Sequence, residues 1–177
     1  MPRSPVPELS EHESLTLAMI ARFQPTTVYQ VRKLLNESPT TSFSTSPGKM
    51  YPIIERLRGR GLIAAERVAG DGRNTERFSV TREGKAAVKA WVKAIRPTYL
   101  LPEDPLRTHA GFADMLGRVE RARWLTDLRA ALQDKLAEIE RFTQQRSEGA
   151  MSAAHDHALS VTRTRIAWVE RMIAAGD

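Results

Sequence analysis

The stretch that decides the fold is residues 46–63, Ser-Pro-Gly-Lys-Met-Tyr-Pro-Ile-Ile-Glu-Arg-Leu-Arg-Gly-Arg-Gly-Leu-Ile. Ser46 is a favourable helix N-cap, and Pro47 suits the first helical position, where no amide proton is needed. Gly61 is the residue type that commonly follows the end of a helix. Between them, apolar residues recur at spacings of three and four and predict one buried face: Met50, Ile53, Ile54 and Leu57.

The opposite face of this helix carries a composition that is unusual for a stable helix. Its members are Gly48, Lys49, Pro52, Glu55, Arg56 and Gly59. Relative to alanine, a helical glycine costs up to about 1 kcal/mol and an interior proline about 3 kcal/mol. Two interpretations stay open: this face approaches a flat partner closely, or the helix tolerates these residues because the proline lies near its start.

Two helices are predicted before this segment. Residues 10–13, Ser-Glu-His-Glu, form a capping box that starts a helix running to about Arg22. Residues 27–30, Thr-Val-Tyr-Gln, form a second box that starts another helix. Residues 36–45 are rich in Ser, Thr, Pro and Asn, which predicts a turn between the second helix and the third.

A hairpin and a fourth helix are predicted after it. Residues 62–68 and 75–81 have strand character, and residues 70–74, Gly-Asp-Gly-Arg-Asn, have the composition of a hairpin tip. The period of two places Phe78 and Val80 inward. Thr81 is predicted to cap a helix whose shared face consists of Val88, Trp91, Val92 and Ile95.

The remainder is predicted to be helical and to form a homodimer. Residues 96–105 contain three prolines and close the first domain, and a short helical element follows over about 106–116. Two long helices then carry apolar stripes with a coiled-coil-like spacing: Leu125, Leu128, Leu132, Leu136, Ile139 and Phe142, and Leu159, Thr162, Ile166, Val169 and Ile173. A lone helical hairpin has few ways to bury both stripes fully, which favours a second copy of the chain as partner.

The positive charge of the chain is concentrated in its first half. Of the formal net charge of +6, residues 1–95 hold all, with 15 Lys and Arg against 9 Asp and Glu, while residues 96–177 hold 12 of each. A localised basic field suggests a polyanionic partner. The alternative is a solubilising face.

Several other protein classes find little support in the sequence. The 177 residues contain no cysteine, no apolar run long enough for a membrane span, and no apolar segment behind the N-terminal residues that would act as a secretory signal. We therefore expect a cytoplasmic protein without membrane contact. The two rings of His155 and His157 point about 200° apart on a helix, which does not suit a shared metal. We predict no catalytic residue, no metal and no cofactor.

The chain resembles the PadR family of transcriptional regulators. The resemblance is carried by Ser46-Pro47-Gly48-Lys49-Met50-Tyr51-Pro52, by Ile54-Glu55-Arg56-Leu57 with Gly61-Leu62-Ile63, and by Gly72-Arg73, Arg77-Phe78 and Val80-Thr81-Arg82-Glu83-Gly84. It covers about residues 10–95 and implies a winged helix-turn-helix that binds double-stranded DNA. The C-terminal resemblance is architectural, to a helical dimer-forming tail.

An α-helix fits the major groove, and a wing lies along the backbone or minor groove. On this basis the residues expected at the groove are Ser46, Gly48, Lys49, Tyr51 and Pro52. Those expected to hold phosphates are Arg56, Arg73 and Arg77. Lys49 is the best candidate for reading guanine. The role of Glu55 on the same face stays open.

The resemblance also implies that some relatives respond to small aromatic compounds. The residues that would stack on such an effector are Trp91, Trp124 and Trp168. Packing in the core or in the dimer is the alternative, and the position of each tryptophan on or beside an apolar stripe favours it.

The sequence thus predicts a mainly α fold: a three-helix core with a β-hairpin wing over residues 1–95, followed by an α-helical dimerisation segment over residues 96–177. The function that follows is a homodimeric DNA-binding transcriptional regulator, acting as a repressor on a palindromic operator. A different class of function is a winged-helix module that binds protein and has lost contact with DNA. Glu55 and Glu76, on the presumed DNA face, are the features that favour this alternative.

Overall fold

The computed structural model describes residues 8–40, 46–67, 75–145 and 152–176. The chain divides into two compact units, one made of residues 1–37 and 43–96 and the other of residues 38–42 and 97–177. The elements of the first unit are α1 (Glu11–Phe23), α2 (Val28–Glu37), α3 (Pro47–Gly59), β1 (Ile63–Arg67), β2 (Glu76–Val80) and α4 (Arg82–Lys93). Those of the second unit are α5 (Pro97–Leu100), α6 (Pro105–Ala110), a 3-10 turn (Ala113–Met115), α7 (Arg118–Gln144) and α8 (Ser152–Ala174).

The helix starts are set by short-range capping, as predicted. Glu13 N donates to Ser10 Oγ at 3.2 Å and Ser10 N donates to Glu13 Oε2 at 2.8 Å, which completes the capping box of α1. Thr27 and Gln30 exchange the equivalent bonds before α2, at 3.0 and 3.2 Å. Gly84 N donates to Thr81 Oγ1 at 3.0 Å at the start of α4. The side-chain caps predicted at Ser10, Thr27 and Thr81 are therefore confirmed, whereas Ser46 precedes α3 without a hydrogen bond from its side chain to the helix.

The two strands pair antiparallel, with Ile63 opposite Val80 and Arg67 opposite Glu76. Within the described residues, β1 begins one residue later than predicted, and β2 is one residue shorter at either end. Phe78 and Val80 are buried, as the period of two predicted. The hairpin is anchored to the segment before α2, because Thr26 and Phe78 exchange two backbone hydrogen bonds at 3.1 and 2.7 Å.

The core of the first unit lies between α1, α2, α3 and the hairpin. The predicted stripe of α3 is buried in full, since each of its four apolar members is less than 5% exposed. Other members of the cluster come from the remaining elements: Leu17, Met19, Ile20, Val31, Leu35, Leu62, Ile63, Phe78 and Val80. This packing fixes which face of α3 points to solvent.

Two glycines make the turns of this unit possible. Gly61 follows α3 with φ of 67°, in the left-handed region that side chains other than glycine rarely adopt. At Gly84 the reason is contact: an added Cβ would overlap the carbonyl oxygen of Leu62 and lie 2.5 Å from Cγ2 of Val80. The start of α4 therefore passes directly over the start of β1.

The predicted shared face of α4 is wrong in its second half. Val88 and Trp91 are half-buried, but Val92 is 71% exposed and Ile95 is 84% exposed. The helix ends at Lys93, so helical spacing no longer applies at residue 95. Trp91 is held from its polar edge, because its Nε1 donates to Glu11 Oε2 at 2.8 Å.

The second unit is built on α7 and α8, which pack against each other. Phe142 near the end of α7 meets the ring of His155 near the start of α8 at 5.4 Å, edge to face. At the other end, Leu125 and Ile173 share one apolar cluster, so the two helices run antiparallel. The two predicted stripes lie at this contact, with Leu125, Leu132, Ile139, Thr162 and Val169 buried.

The short elements before α7 differ from the prediction. The proline-rich linker contains a four-residue helix, α5, which was not predicted, and the element predicted over 106–116 is divided into α6 and a 3-10 turn. Asp104 caps α6 through Leu106 N at 3.0 Å and pairs with Arg165 of α8 at 2.9 Å. Burial raises the pKa of Asp104, but the hydrogen bond and charge of Arg165 outweigh it, and the net pKa is lowered. None of the helices within the described ranges combines the length and apolar character of a membrane span.

Candidate nucleic-acid interface

The first turn of α3 projects into solvent. Ser46 is extended, with φ of −83° and ψ of 158°, and its hydroxyl does not cap the helix. Its carbonyl instead accepts from the amides of Lys49 and Met50, both at 3.1 Å. The unbonded amides at a helix start carry partial positive charge, so this turn suits an approaching anion.

All five residues predicted at the groove lie on the exposed side of α3. The set is Ser46, Gly48, Lys49, Tyr51 and Pro52. Pro52 has no amide proton to give to the carbonyl of Gly48 one turn earlier. An added Cβ at Gly48 or at Gly59 would meet no atom of the described residues within 4 Å. Contacts within the described residues therefore do not explain why glycine occupies these two positions. This favours the interpretation that a partner approaches this face closely.

Arg56 is tied to the first helix. Its Nε donates to Glu13 Oε1 at 2.6 Å, and the same carboxylate caps α1 through Oε2. Burial raises the pKa of Glu13, but the bonds from Arg56 and Ser10 outweigh it, and the net pKa is lowered. The side chain of Arg56 remains 54% exposed, so its terminal nitrogens still face solvent. One edge of the guanidinium thus holds the fold and the other is accessible.

Arg58 is a residue of this face that the sequence reasoning missed. Its two terminal nitrogens bind the carboxylate of Glu76 on β2 at 3.3 and 3.4 Å. The same guanidinium lies 3.9 Å from Glu55. Glu55 and Arg58 are three residues apart, and this helical spacing could have predicted their ion pair. Arg58 and Glu76 are 18 residues apart, so no local pattern predicts that they meet. Both acidic residues that favoured the protein-binding alternative are therefore next to a cation.

The wing contributes one predicted residue to the described structure. Arg77 is exposed on β2 and lies opposite Glu66 in the register of the hairpin. Arg73, at the predicted tip, lies outside the described residues. On β2, the side chain of Glu76 contacts α3. Arg77 is the next residue, so its side chain lies on the opposite face of the strand.

The start of α2 joins the same surface. Tyr29 and Tyr51, both more than half exposed, line a shallow cavity of about 260 Å³ together with Thr75 and Phe78. The guanidinium of Arg32 lies 5.8 Å from the centre of the Tyr29 ring. Neither Tyr29 nor Arg32 was predicted as a site residue. The rule that the helix before the recognition helix crosses the DNA backbone could have pointed to them.

The three tryptophans occupy different environments. Trp124 and Trp168 pack against the apolar cluster of the second unit. Trp91 belongs to the first unit and lines a cavity of about 250 Å³ with Leu9, Leu62 and the helix positions before it. Trp124 and Trp168 therefore pack against an apolar core, and Trp91 lines a cavity. Within the same ranges, no group of three His, Cys, Asp or Glu side chains is arranged to hold a metal ion.

Residues 16–90 match the family model of the transcriptional regulator PadR-like family. This match confirms the resemblance, and a family of transcriptional regulators agrees with the prediction that the chain is not an enzyme. No curated protein matches the chain.

Solved structures with the same fold are similar to the chain over almost its whole length. Bacillus subtilis PadR in complex with operator DNA has 18% identity and a TM-score of 0.82, covering 96% of this chain and 99% of that chain. The same protein in complex with p-coumaric acid has 18% identity and a TM-score of 0.74, covering 93% and 99%. The Vibrio cholerae virulence activator AphA has 15% identity and a TM-score of 0.67, covering 92% and 96%. These likenesses confirm the predicted winged-helix fold with a helical C-terminal segment.

Proposed function

We propose, from the premise that residues 16–90 form a PadR-like transcriptional regulator domain, that the protein is a homodimeric repressor that binds a palindromic DNA operator. The observation that carries the proposal is the exposed first turn of α3. There Lys49, an uncapped Ser46 hydroxyl and a glycine without an internal packing cause share one accessible surface. A helix start of this kind fits the major groove, where Lys49 would read guanine.

The electrostatics of the first unit support a phosphate-binding role around that turn. Arg56 exposes its terminal nitrogens, Arg77 is exposed on the wing, and Arg73 belongs to the predicted tip. The positive net charge of the chain is carried by residues 1–95. Phosphate contacts of this kind give affinity and orientation, while the residues of the first turn give sequence preference.

Dimerisation is supported by apolar side chains that the second unit leaves exposed. The most exposed of these are Leu100, Leu101, Phe112, Met115 and Val119. A soluble protein seldom leaves so many large apolar side chains in water without a partner. In a symmetric dimer two α3 helices face two half-sites, which makes the operator palindromic.

An effector is a further part of the proposal. Bacillus subtilis PadR, which has the same fold, was solved with p-coumaric acid bound. In this chain Trp91 lines a cavity and provides an aromatic wall for a small aromatic compound. The packing of Trp124 and Trp168 in the second apolar cluster favours a structural role for that pair.

The protein-binding alternative loses its main argument in the structure. Glu55 and Glu76, which would repel DNA, both lie beside Arg58. The local charge of this surface is therefore less negative than the sequence alone indicated.

The test is binding of the full chain to labelled DNA from upstream of its own gene, with excess nonspecific DNA and at several salt concentrations. We expect binding that survives competition and weakens with salt with a slope near −0.9 for each phosphate contact. The double variant Lys49→Ala/Arg73→Ala should lose operator binding. The matched control is Arg123→Ala/Lys135→Ala, which removes two charges from the exposed surface of α7. A folded Lys49/Arg73 variant that binds like the unmodified chain would refute the assignment.

The dimer has its own test. Removing residues 145–177 deletes α8 and should give a monomer with weak operator binding, measured by sedimentation equilibrium and by the same DNA titration. A stable dimer after this deletion would show that the interface lies elsewhere.

A further inference from the structure

Helix α4 carries an exposed row of basic side chains that the proposed operator surface does not use. Its 12 residues contain four basic side chains and one acidic side chain, a formal net charge of +3. This is half of the net charge of +6 that the whole chain carries. The lysine row consists of Lys85, Lys89 and Lys93, with Arg82 at its start, and all four side chains are exposed.

Helical spacing aligns the three lysines. Residues four apart differ by about 40° in direction and by about 6 Å along the helix axis, so Lys85, Lys89 and Lys93 form one row about 12 Å long. The other face of the helix is the packed one, where Gly84 is buried and Val88 and Trp91 are half-buried. The lysine row therefore points away from the core of the first unit.

The charge of the lysine row is not neutralised within the described part of the chain. Glu83 is the acidic residue of α4, and its carboxylate pairs with Arg82 at 3.2 Å. Among the described residues, no carboxylate forms an ion pair with any of the three lysines. Like charges four residues apart on a helix repel each other. A polyanion that lies along the row would relieve this repulsion.

The lysine row is separate from the two surfaces that the proposed function uses. α4 packs against α1 and β2, whereas the residues expected at the groove lie on the exposed side of α3. The exposed apolar side chains proposed for the dimer belong to the second unit, and α4 belongs to the first. A partner on the lysine row therefore uses residues of neither surface.

The composition of the row favours a nucleic acid over a protein. Protein interfaces are rich in aromatic residues, Met and Arg and poor in Lys. Here the exposed neighbours on one side of the lysines are Ala86 and Ala90, which offer little apolar surface. A phosphate backbone requires only positive charges at regular spacing. One strand of a duplex advances about 3.4 Å for each phosphate, so a row about 12 Å long reaches about three phosphates.

A lipid surface fits this helix less well. Amphipathic helices bind membranes by placing an apolar face among the lipids. The apolar side chains Ala87 and Val88 of α4 instead pack against the core of the first unit. Only the charged face of α4 is then left for a partner, which suits a phosphate backbone.

We infer that the lysine row binds the phosphate backbone of a second DNA duplex, without sequence preference, while α3 contacts the first. The first duplex is the operator, so the role of α3 in this arrangement rests on the proposed function. Three phosphate contacts give a slope of log affinity against log salt of about −2.7 for the second duplex. Such a protein holds two DNA segments together.

The experiment captures a second duplex on a first one. The DNA from upstream of the gene is fixed to beads, saturated with the full chain, washed, and incubated at low salt with a short fluorescent duplex of mixed sequence. We expect the unmodified chain to capture the fluorescent duplex. Lys85→Gln/Lys89→Gln/Lys93→Gln should stay on the beads but capture about tenfold less. Equal capture by this variant would overturn the proposal.

The matched control is Arg123→Gln/Lys135→Gln/Arg171→Gln, which removes the same charge from exposed positions of the second unit and should capture as the unmodified chain does. Replacement of the three lysines of α4 by arginine keeps their charge and should also preserve capture. Equal loss in the second-unit control would show that net charge holds the duplex and would overturn the proposal. Binding to phosphatidylserine vesicles that depends on the lysines, with unchanged duplex capture, would assign the row to a lipid surface and overturn it too.

A titration without the operator distinguishes failure of this proposal from failure of the proposed function. In the Lys49→Ala/Arg73→Ala variant the operator surface is weakened, and the residual binding of the mixed-sequence duplex at low salt reports on the lysine row. Adding the three lysine-to-glutamine changes should weaken this binding by about tenfold or more and reduce the salt slope by about 2.7. This result does not require that the upstream DNA contains an operator. Unchanged residual binding would overturn the assignment of the row.

Discussion

Arg56 Nε lies 2.6 Å from Glu13 Oε1, which ties the candidate recognition helix to the capping box of α1. The same carboxylate accepts from Ser10 N through its other oxygen. Glu13 is 8% exposed, so this bond is shielded from water on the side of the carboxylate. The position of α3 therefore depends on a group 43 residues earlier in the chain.

Glu13→Gln should lower the free energy of unfolding by about 1–2 kcal/mol, because the charged hydrogen bond to a half-exposed arginine is lost. The measurement is urea unfolding at pH 7. Glu66→Gln, at an exposed strand position, is the control and should change the free energy by less than about 0.5 kcal/mol.

The pH dependence of stability gives a second readout of the same pair. The pKa of Glu13 is lowered by folding from its ordinary value of 4.5. Its contribution is therefore complete above pH 4.5 and is lost as the pH falls through the lowered value. The Gln variant should show a flatter decline over that acidic range. An identical acid profile in both proteins would contradict the contribution of the Glu13 carboxylate.

Gly84→Ala should destabilise the first unit by about 1–3 kcal/mol or more, because the new methyl group overlaps the carbonyl of Leu62. Gly59→Ala is the matched control, since its Cβ meets nothing within 4 Å in the described residues. It lies at the end of α3 and should be neutral or stabilise by up to about 1 kcal/mol. Thermal unfolding of both variants tests this contrast, and a stable Gly84 variant would show that α4 shifts without cost.

Glu76→Gln should strengthen DNA binding. In the structure, the guanidinium of Arg58 pairs with the Glu76 carboxylate at 3.3 Å. Without that charge the arginine is released toward phosphate, and the slope of log affinity against log salt should steepen by about 0.9. Glu138→Gln removes the same charge from α7 and serves as the control. Weaker binding by the Glu76 variant would show instead that the ion pair is needed to hold the wing in place.

Val119→Glu should weaken the proposed dimer. Val119 is 82% exposed in the single chain, and a charge at a buried interface loses its hydration. We expect the dimer dissociation constant to rise by about tenfold or more in sedimentation equilibrium. Gln133→Glu adds the same charge at another exposed position of α7 and should leave the dimer intact. Equal dissociation constants for both variants would exclude this region from the interface.

The features that the sequence predicted well are those that depend on near neighbours. The capping boxes at Ser10 and Thr27 involve residues three apart, and the stripe of α3 follows helical period alone. The exposed side of α3 was predicted because burial of one face fixes the other.

The features that were missed depend on distant residues. The bonds from Arg56 to Glu13 and from Arg58 to Glu76 join positions 43 and 18 apart, and no local pattern distinguishes these carboxylates from others. The role of Arg58 was missed for this reason. The exposure of Ile95 was missed because helical spacing was extended past the end of α4 at Lys93. Val92 lies within the helix, and helical spacing alone did not show that it is exposed.

The close contact of Gly84 with Leu62 and Val80 gives the motif around Gly84 a structural explanation. Residues 80–84, Val-Thr-Arg-Glu-Gly, carry part of the resemblance to a family of regulators, yet Thr81 serves there as a cap and Gly84 as a spacer between a helix and a strand. The roles of Thr81 and Gly84 are both structural, and neither involves contact with DNA. A relative that had abandoned gene control would keep the motif as long as it kept the fold. The motif therefore indicates the fold, whereas the proposed role in DNA binding rests on the first turn of α3.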